Sequence, residues 1–160
     1  MKNINLVLLL LFMINFACKS KTELYLERGL DILSNKQNVN FNIYKNIVID
    51  EIGVIRDQKE NTKTLVFKMD NSFNGASLDK DIIIGIRVWI VNDKGEKRIE
   101  NWDFKPQLIE VDEYKYLLKE ISLKENQIKK MKIYLYPEKE GRPHKLGNIL
   151  ELNKINTYND

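Results

Sequence analysis

The chain has 160 residues, with 26 Lys and Arg, 23 Asp and Glu, one His and one Cys. A formal net charge of +3 argues against a nucleic-acid binder, which ordinarily carries a strong basic patch. A single cysteine excludes an intramolecular disulfide, and a single histidine among scattered acids argues against a zinc site or a histidine-dependent hydrolase.

The first element in chain order is a leader. Lys2 is followed by an almost wholly apolar run from Leu6 to Phe16, broken only by Asn15, then by the small Ala17, by Cys18 and by polar Lys19-Ser20-Lys21. Positive, apolar, small is the order of a secretory signal peptide. The run is about 11 residues, too short for the ~20 that span a hydrocarbon core as a helix, so a transmembrane helix is the weaker alternative.

Asn15-Phe16-Ala17-Cys18 resembles the lipobox of bacterial lipoproteins. Ala17 and Cys18 match that pattern, while Asn15 stands where Leu, Val or Ile is usual. The resemblance implies cleavage after residue 17, diacylglyceryl and acyl chains on Cys18, and no other cofactor. Each buried CH₂ contributes ~0.8 kcal/mol to membrane anchoring and one chain holds only marginally, so three chains would tether the protein durably. The expected layout is a signal peptide over 1–17, a lipidated tether over 18–22, one domain over 23–153 and a loose tail over 154–160. Lys2 is the only charge in the leader, so 25 basic and 23 acidic side chains leave the mature chain at +2.

Residues 23–34 predict a helix. Leu26, Leu30 and Leu33 share a face, Thr22 can cap the start and Asn35 can end it. Its leucine stripe is expected to pack on the domain, with a membrane-lying amphipathic helix as the alternative. From residue 41 the apolar period becomes two. The segment 41–56 reads as strand, with Gly53 as a bulge candidate, and 64–69 places Leu65, Phe67 and Met69 on one side. The clearest strand is 81–91, with Ile82, Ile84, Ile86, Val88 and Ile90 on one face and Ile83, Arg87, Trp89 and Val91 on the other. Asn92-Asp93-Lys94-Gly95 predicts a turn, and 96–104 the returning strand of a hairpin.

Further strands are expected over 108–111, 114–123 and 127–136. In the last, Met131, Ile133 and Leu135 point inward and Lys130, Lys132, Tyr134 and Tyr136 outward. Residues 137–144 form a polar loop, 147–152 a final strand, and 153–160 a loosely held tail. The fold class is therefore all-β, an antiparallel β-sandwich that resembles an immunoglobulin-type sandwich in outline, with one short N-terminal helix. The alternative is an α+β domain in which 114–121 is helical.

No catalytic constellation emerges. His144 lies in a turn-like stretch beside Arg142 and Lys145 and reads as an exposed loop residue. Asp79 with Asp81 and Glu110 with Asp112 could each share a strand face, but no calcium loop is present and solvated acids are the expectation. Lys124, Lys129, Lys130 and Lys132 read as a solvated strand face and turn. The expectation is a non-enzyme without a metal. For partner binding, Trp102, Tyr134 and Tyr136 would make an aromatic patch if they shared an exposed face. Phe73 in Asp70-Asn71-Ser72-Phe73-Asn74-Gly75 is the best loop anchor, with a Phe tucked over the sandwich end as the alternative.

Lys, Asn and Ile are unusually common, at 21, 18 and 20 residues, which suggests an AT-rich coding sequence. Together with the leader and Cys18, this composition resembles spirochaetal, Borrelia-type outer-surface lipoproteins. The resemblance implies an outer-membrane location and a surface-displayed module that binds a host or environmental macromolecule. The alternative is a periplasm-facing structural lipoprotein that tethers an envelope or secretion assembly. In both, the partners are the membrane and a protein or other macromolecule, with no nucleic acid.

Overall fold

The computed structural model describes residues 26, 35–57, 62–73, 81–91, 94–121 and 127–156. Nine antiparallel strands make up this part: β1 (Gln37–Tyr44), β2 (Ile47–Asp57), β3 (Thr62–Met69), β4 (Ile82–Val91), β5 (Lys97–Phe104), β6 (Leu108–Val111), β7 (Tyr114–Ile121), β8 (Gln127–Pro137) and β9 (Leu146–Asn156). They form a five-stranded sheet in the order β1-β2-β3-β7-β6 and a four-stranded sheet in the order β5-β4-β8-β9. With β1 set aside, the first sheet follows the A-B-E-D order of an immunoglobulin-type sandwich and β4-β8-β9 follows C-F-G. The strand β5 extends the second sheet beside β4.

Alternation puts one face of each sheet into a common core. From the first sheet come Ile49, Ile52, Val54, Leu65, Phe67, Met69, Leu117 and Ile121. From the second come Ile84, Ile86, Val88, Ile90, Met131, Ile133, Leu135 and Leu150. The Phe67 and Phe104 rings stack across the interior with centroids 6.3 Å apart. At about 25 cal/mol per Å² of apolar surface removed from water, this interior is the dominant stabilising term for a domain that has no disulfide to help it.

Several sequence expectations are corrected in detail. The segment 114–121 is a strand throughout, because Tyr116 and Leu118 are needed on the outer face while Leu117 and Ile121 fill the core. That removes the α+β alternative. The segment expected as one strand over 41–56 is two, joined by a turn at Lys45-Asn46 in which Lys45 has φ 49°. The bulge in β2 lies between Ile49 and Glu51, and Gly53 pairs regularly with Val66. That extra residue explains the phase of β2. Odd-numbered Ile47 and Ile49 face the core before it, and even-numbered Ile52 and Val54 after it. Residues 153–156, expected as tail, continue β9, and Ile155 is buried in the core.

The outer face of the first sheet is also apolar. Ile55, Val66 and Tyr116 are buried there with Leu26, and Ile109, Val111, Tyr114 and Leu118 pack around them. The predicted 23–34 helix lies outside the described residues except for Leu26, which is helical and fully buried. The Tyr116 hydroxyl donates to the Leu26 carbonyl at 3.2 Å. Asn35 holds the next part of the segment, exchanging two hydrogen bonds with the Val54 backbone. The leader, Cys18 and the 18–22 tether lie outside the described residues. No helix among the described residues is long and apolar enough to cross a membrane.

Candidate functional site: a cationic groove on the second sheet

Strand alternation that sends the β4 isoleucines inward sends Ile83, Gly85, Arg87 and Trp89 to the outer face of the second sheet. The register places Gly85 opposite Tyr134, Arg87 opposite Lys132 and Trp89 opposite Lys130 on β8. On the other side of β4, Gly85 faces Asp103 and Arg87 faces Asn101 on β5. This outer face therefore collects basic and aromatic side chains over a few strand positions.

The loop between β8 and β9 folds back over it. Gly141, with φ 75°, donates its N–H to the Pro137 carbonyl at 2.9 Å, and His144 donates to the Gly141 carbonyl at 3.2 Å. The fold-back lays Arg142 against β5, where its Nε donates to Asp103 Oδ2 at 2.9 Å and its Nη2 meets the same oxygen. The bond to Asp103 holds the Arg142 pKa above its ordinary value.

Between loop and sheet lies a groove of about 280 Å³, lined by Arg87, Trp89, Lys132, Tyr134, Arg142, Pro143, Lys145 and Ile149. Its volume is at the small end of ligand pockets. Tyr134 forms its floor at one end. The ring lies over Gly85, where a side-chain carbon would stand 2.6 Å from Tyr134 Cε2, so only glycine leaves room for it. Lys145 Nζ sits 5.3 Å from the centre of that ring, a cation–π contact. Burial, and then the charge of Asp103, raise the Tyr134 pKa above the usual phenol value, so the hydroxyl stays protonated at neutral pH.

Four cations line the groove, and they divide into two kinds. Arg142 is paired with Asp103, and Lys132 shares Glu151 with Lys130, whose Nζ lies 2.7 Å from the carboxylate. Hydrogen bonds from Lys130 and Lys132 hold the Glu151 pKa below its ordinary value. Arg87 donates its Nε to the neutral Asn101 Oδ1 at 3.0 Å, and Lys145 lies over a neutral ring. Among the described residues neither has a carboxylate partner. The groove thus keeps a positive excess with two cationic heads available to an incoming anion.

The aromatic residues singled out by sequence separate in space. Tyr134 and Tyr136 are neighbours on the outer face, with ring centroids 6.1 Å apart. Both are nearly buried, at 5% and 7% exposure, beneath the Arg142 loop. Trp102 pairs with core-facing Ile86 and packs against the core, so it belongs to the opposite face of the same sheet. Its indole Nε1 donates to Glu100 Oε2 at 2.9 Å. The three cannot form one exposed patch. Phe73 is fully buried in the core, which rules out an exposed loop anchor. Asp70 ties this turn by accepting from the Ser72 N–H at 2.8 Å, and Lys115 Nζ donates to the Asn71 and Phe73 carbonyls.

Trp89 lines the groove half-buried, with Lys130 Nζ 5.7 Å from its ring. The alternation over 81–91 sends Arg87 and Trp89 to the outer face, but strand period alone does not mark them as groove residues. Their signal was the interruption of an apolar outer row by one cation and one indole. Arg142 and Lys145 carried no such signal, because only the folded loop brings them over the sheet. His144 is exposed, with Nδ1 3.6 Å from Glu140, and takes no part. Among the described residues no group of three or more His, Cys, Asp or Glu could hold a metal ion. In comparisons with known proteins, no family model, curated protein or solved structure matches the chain.

Proposed function

We propose that the protein is a lipid-anchored, surface-displayed binding module, non-catalytic, that meets a host or environmental macromolecule through the outer face of its second sheet. The groove supports this reading: it is concave, positively charged and partly aromatic. Its position adds support. Leu26, only a few residues from Cys18, is packed on the outer face of the first sheet, on the far side of the sandwich from the groove. Leu26, the first described residue after Cys18, thus lies on the face opposite the groove.

Two experiments test this. In the first, full-length protein and Cys18→Ala are expressed in cells fed labelled palmitate and then treated with external protease. The expected result is labelling and shaving of the first and release of the second. Continued labelling of Cys18→Ala would remove the anchor, and full protection of the intact protein would remove surface display. In the second, the domain from Lys19 onward captures partners from host serum, matrix proteins and envelope extract. Capture that depends on Arg87 and Lys145 is expected, and capture insensitive to both would move binding off this face.

A further inference from the structure

Resting on the binding role proposed for this face, we infer that the groove is a subsite for an acidic oligosaccharide, with Arg87 and Lys145 taking carboxylate or sulfate groups and Trp89 lying against the sugar ring. The argument begins with what the groove withholds. β4 is hydrogen-bonded on both sides, to β5 and β8, and β8 to β4 and β9. The floor therefore has no strand edge for an extended peptide to join, and the main-chain pairing that dominates such recognition is absent. Contacts must come from side chains, and the available ones are cationic heads and ring faces.

The distribution of charge narrows the ligand further. Asp103 and Glu151 stand at the two sides of the groove, Asp103 balanced by Arg142 and Glu151 shared by Lys130 and Lys132. A short stretch of sugars carrying spaced anionic groups would place one on Arg87 and another on Lys145, between the two acids. The Arg87 guanidinium is planar and oriented by Asn101 at its Nε, leaving its terminal nitrogens to pair with two oxygens of one anionic group. Trp89 presents a flat apolar surface, which matches the C–H face of a pyranose ring and has no use for a simple inorganic anion. Pro143 and Ile149 extend the apolar lining at the rim.

The probes are a sulfated uronic acid–glucosamine hexasaccharide, an uncharged dextran of equal length and poly-glutamate, measured calorimetrically against the domain from Lys19 onward. The hexasaccharide is expected to bind, and to weaken as salt rises because the contacts are exposed and ionic. Dextran is expected not to bind, and poly-glutamate to bind more weakly than the hexasaccharide, because it keeps the ionic contacts and lacks a sugar face for Trp89. Arg87→Ala with Lys145→Ala should lower hexasaccharide affinity at least tenfold. Trp89→Ala should lower it at least threefold with the salt dependence unchanged, which a purely ionic contact would not produce. Arg98→Ala, on the exposed edge strand β5 and outside the groove, should leave it unaltered, and thermal melts of every variant check the fold. Equal binding of poly-glutamate, or indifference to Trp89→Ala in a folded variant, overturns the saccharide assignment. If macromolecular capture still depends on Arg87 and Lys145 while no saccharide binds, the binding face survives and the ligand class does not.

Discussion

The Asn35 carboxamide substitutes for a strand residue beside Val54. Its Nδ2 donates to the Val54 carbonyl at 2.9 Å, and its Oδ1 accepts from the Val54 N–H at 3.0 Å. β1 pairs with β2 only as far as Gln37 opposite Ile52. Two residues further along β2, the edge-facing backbone groups of Val54 would be buried and unpaired, and Asn35 completes the ladder with its side chain. Asn35→Ala removes both partners at once. The expected loss is about 1–3 kcal/mol for leaving buried polar groups unsatisfied, read from urea denaturation. Asn35→Asp should also destabilise, since a carboxylate cannot donate to the Val54 carbonyl. An unchanged midpoint in both variants would show that water serves Val54 equally well.

Gly85 and Tyr134 form a second dependent pair. A methyl group on Gly85 would collide with the Tyr134 ring, which is closed in by Tyr136 and Lys145 and cannot swing away freely. Gly85→Ala is expected to cost about 1–3 kcal/mol through overpacking and to disturb the groove floor. Combining it with Tyr134→Leu should recover part of that loss, because the smaller side chain makes room. Strict additivity of the two substitutions in a double-mutant cycle would refute the contact.

Phe73 provides the control for the loop-anchor expectation. It is fully buried, so Phe73→Ala should destabilise by about 3–5 kcal/mol, the range for deleting a core aromatic. Partner capture by the fraction that remains folded should be unaltered. A stable variant that had lost capture would reverse this placement.

Gly147 marks the seam where β9 meets β1. It has φ +65°, and a side-chain carbon there would lie 2.2 Å from the Ile43 carbonyl oxygen. Asn148 Nδ2 bonds the Asn42 carbonyl at 3.0 Å beside it. Gly147→Ala should cost about 1–3 kcal/mol for the backbone conformation alone, with the collision added. Amide exchange in β1 and β9 should accelerate first, and uniform acceleration across both sheets would indicate that the seam is not an independent unit.

Asp50 gives a pH dependence with a definite sign. Burial, then the nearby charge of Asp70, raise its pKa above the ordinary carboxylate value. The native state therefore holds this proton more tightly than the unfolded chain, and stability falls as pH rises from the unfolded pKa through the folded one. The penalty is absent below the ordinary carboxylate pKa and complete above the raised one. Asp50→Asn should raise the urea midpoint at pH 7, and its advantage should shrink to nothing as the pH falls below that ordinary value. An advantage constant with pH would assign the effect to packing.

Much of the sandwich was legible because an antiparallel strand with one buried face writes its period into the sequence. The 82–91 strand carries an uninterrupted apolar row and 131–135 a shorter one, so period alone assigns their inward and outward faces; before Met131 a register shift puts Ile128 in the core in place of Lys129. The β2 bulge is not legible at Gly53 for an equally physical reason: glycine marks a permissive position, but the shift of phase at Asp50-Glu51 shows only against a partner strand. Phe73 was ambiguous because one aromatic in a polar turn serves equally well as a plug or as an anchor, and only the position of the turn over the core decides between them. Sequence cannot separate Trp102 from Tyr134 and Tyr136, because faces of different strands cannot be equated until the register is known.

The sequence by itself determined the class of the fold, the absence of a disulfide and the alternation that sends Arg87, Trp89, Lys132 and Tyr134 outward. These are local properties, set by side-chain period and composition along a continuous stretch of chain. Tertiary structure alone decided that β4 and β8 lie side by side, that the loop after β8 returns over them, and that Arg142 reaches Asp103 while Arg87 and Lys145 face no carboxylate among the described residues. Those relations join residues up to 58 positions apart (Arg87 to Lys145). They depend on strand register and loop path, and neither is carried by the period of any single strand.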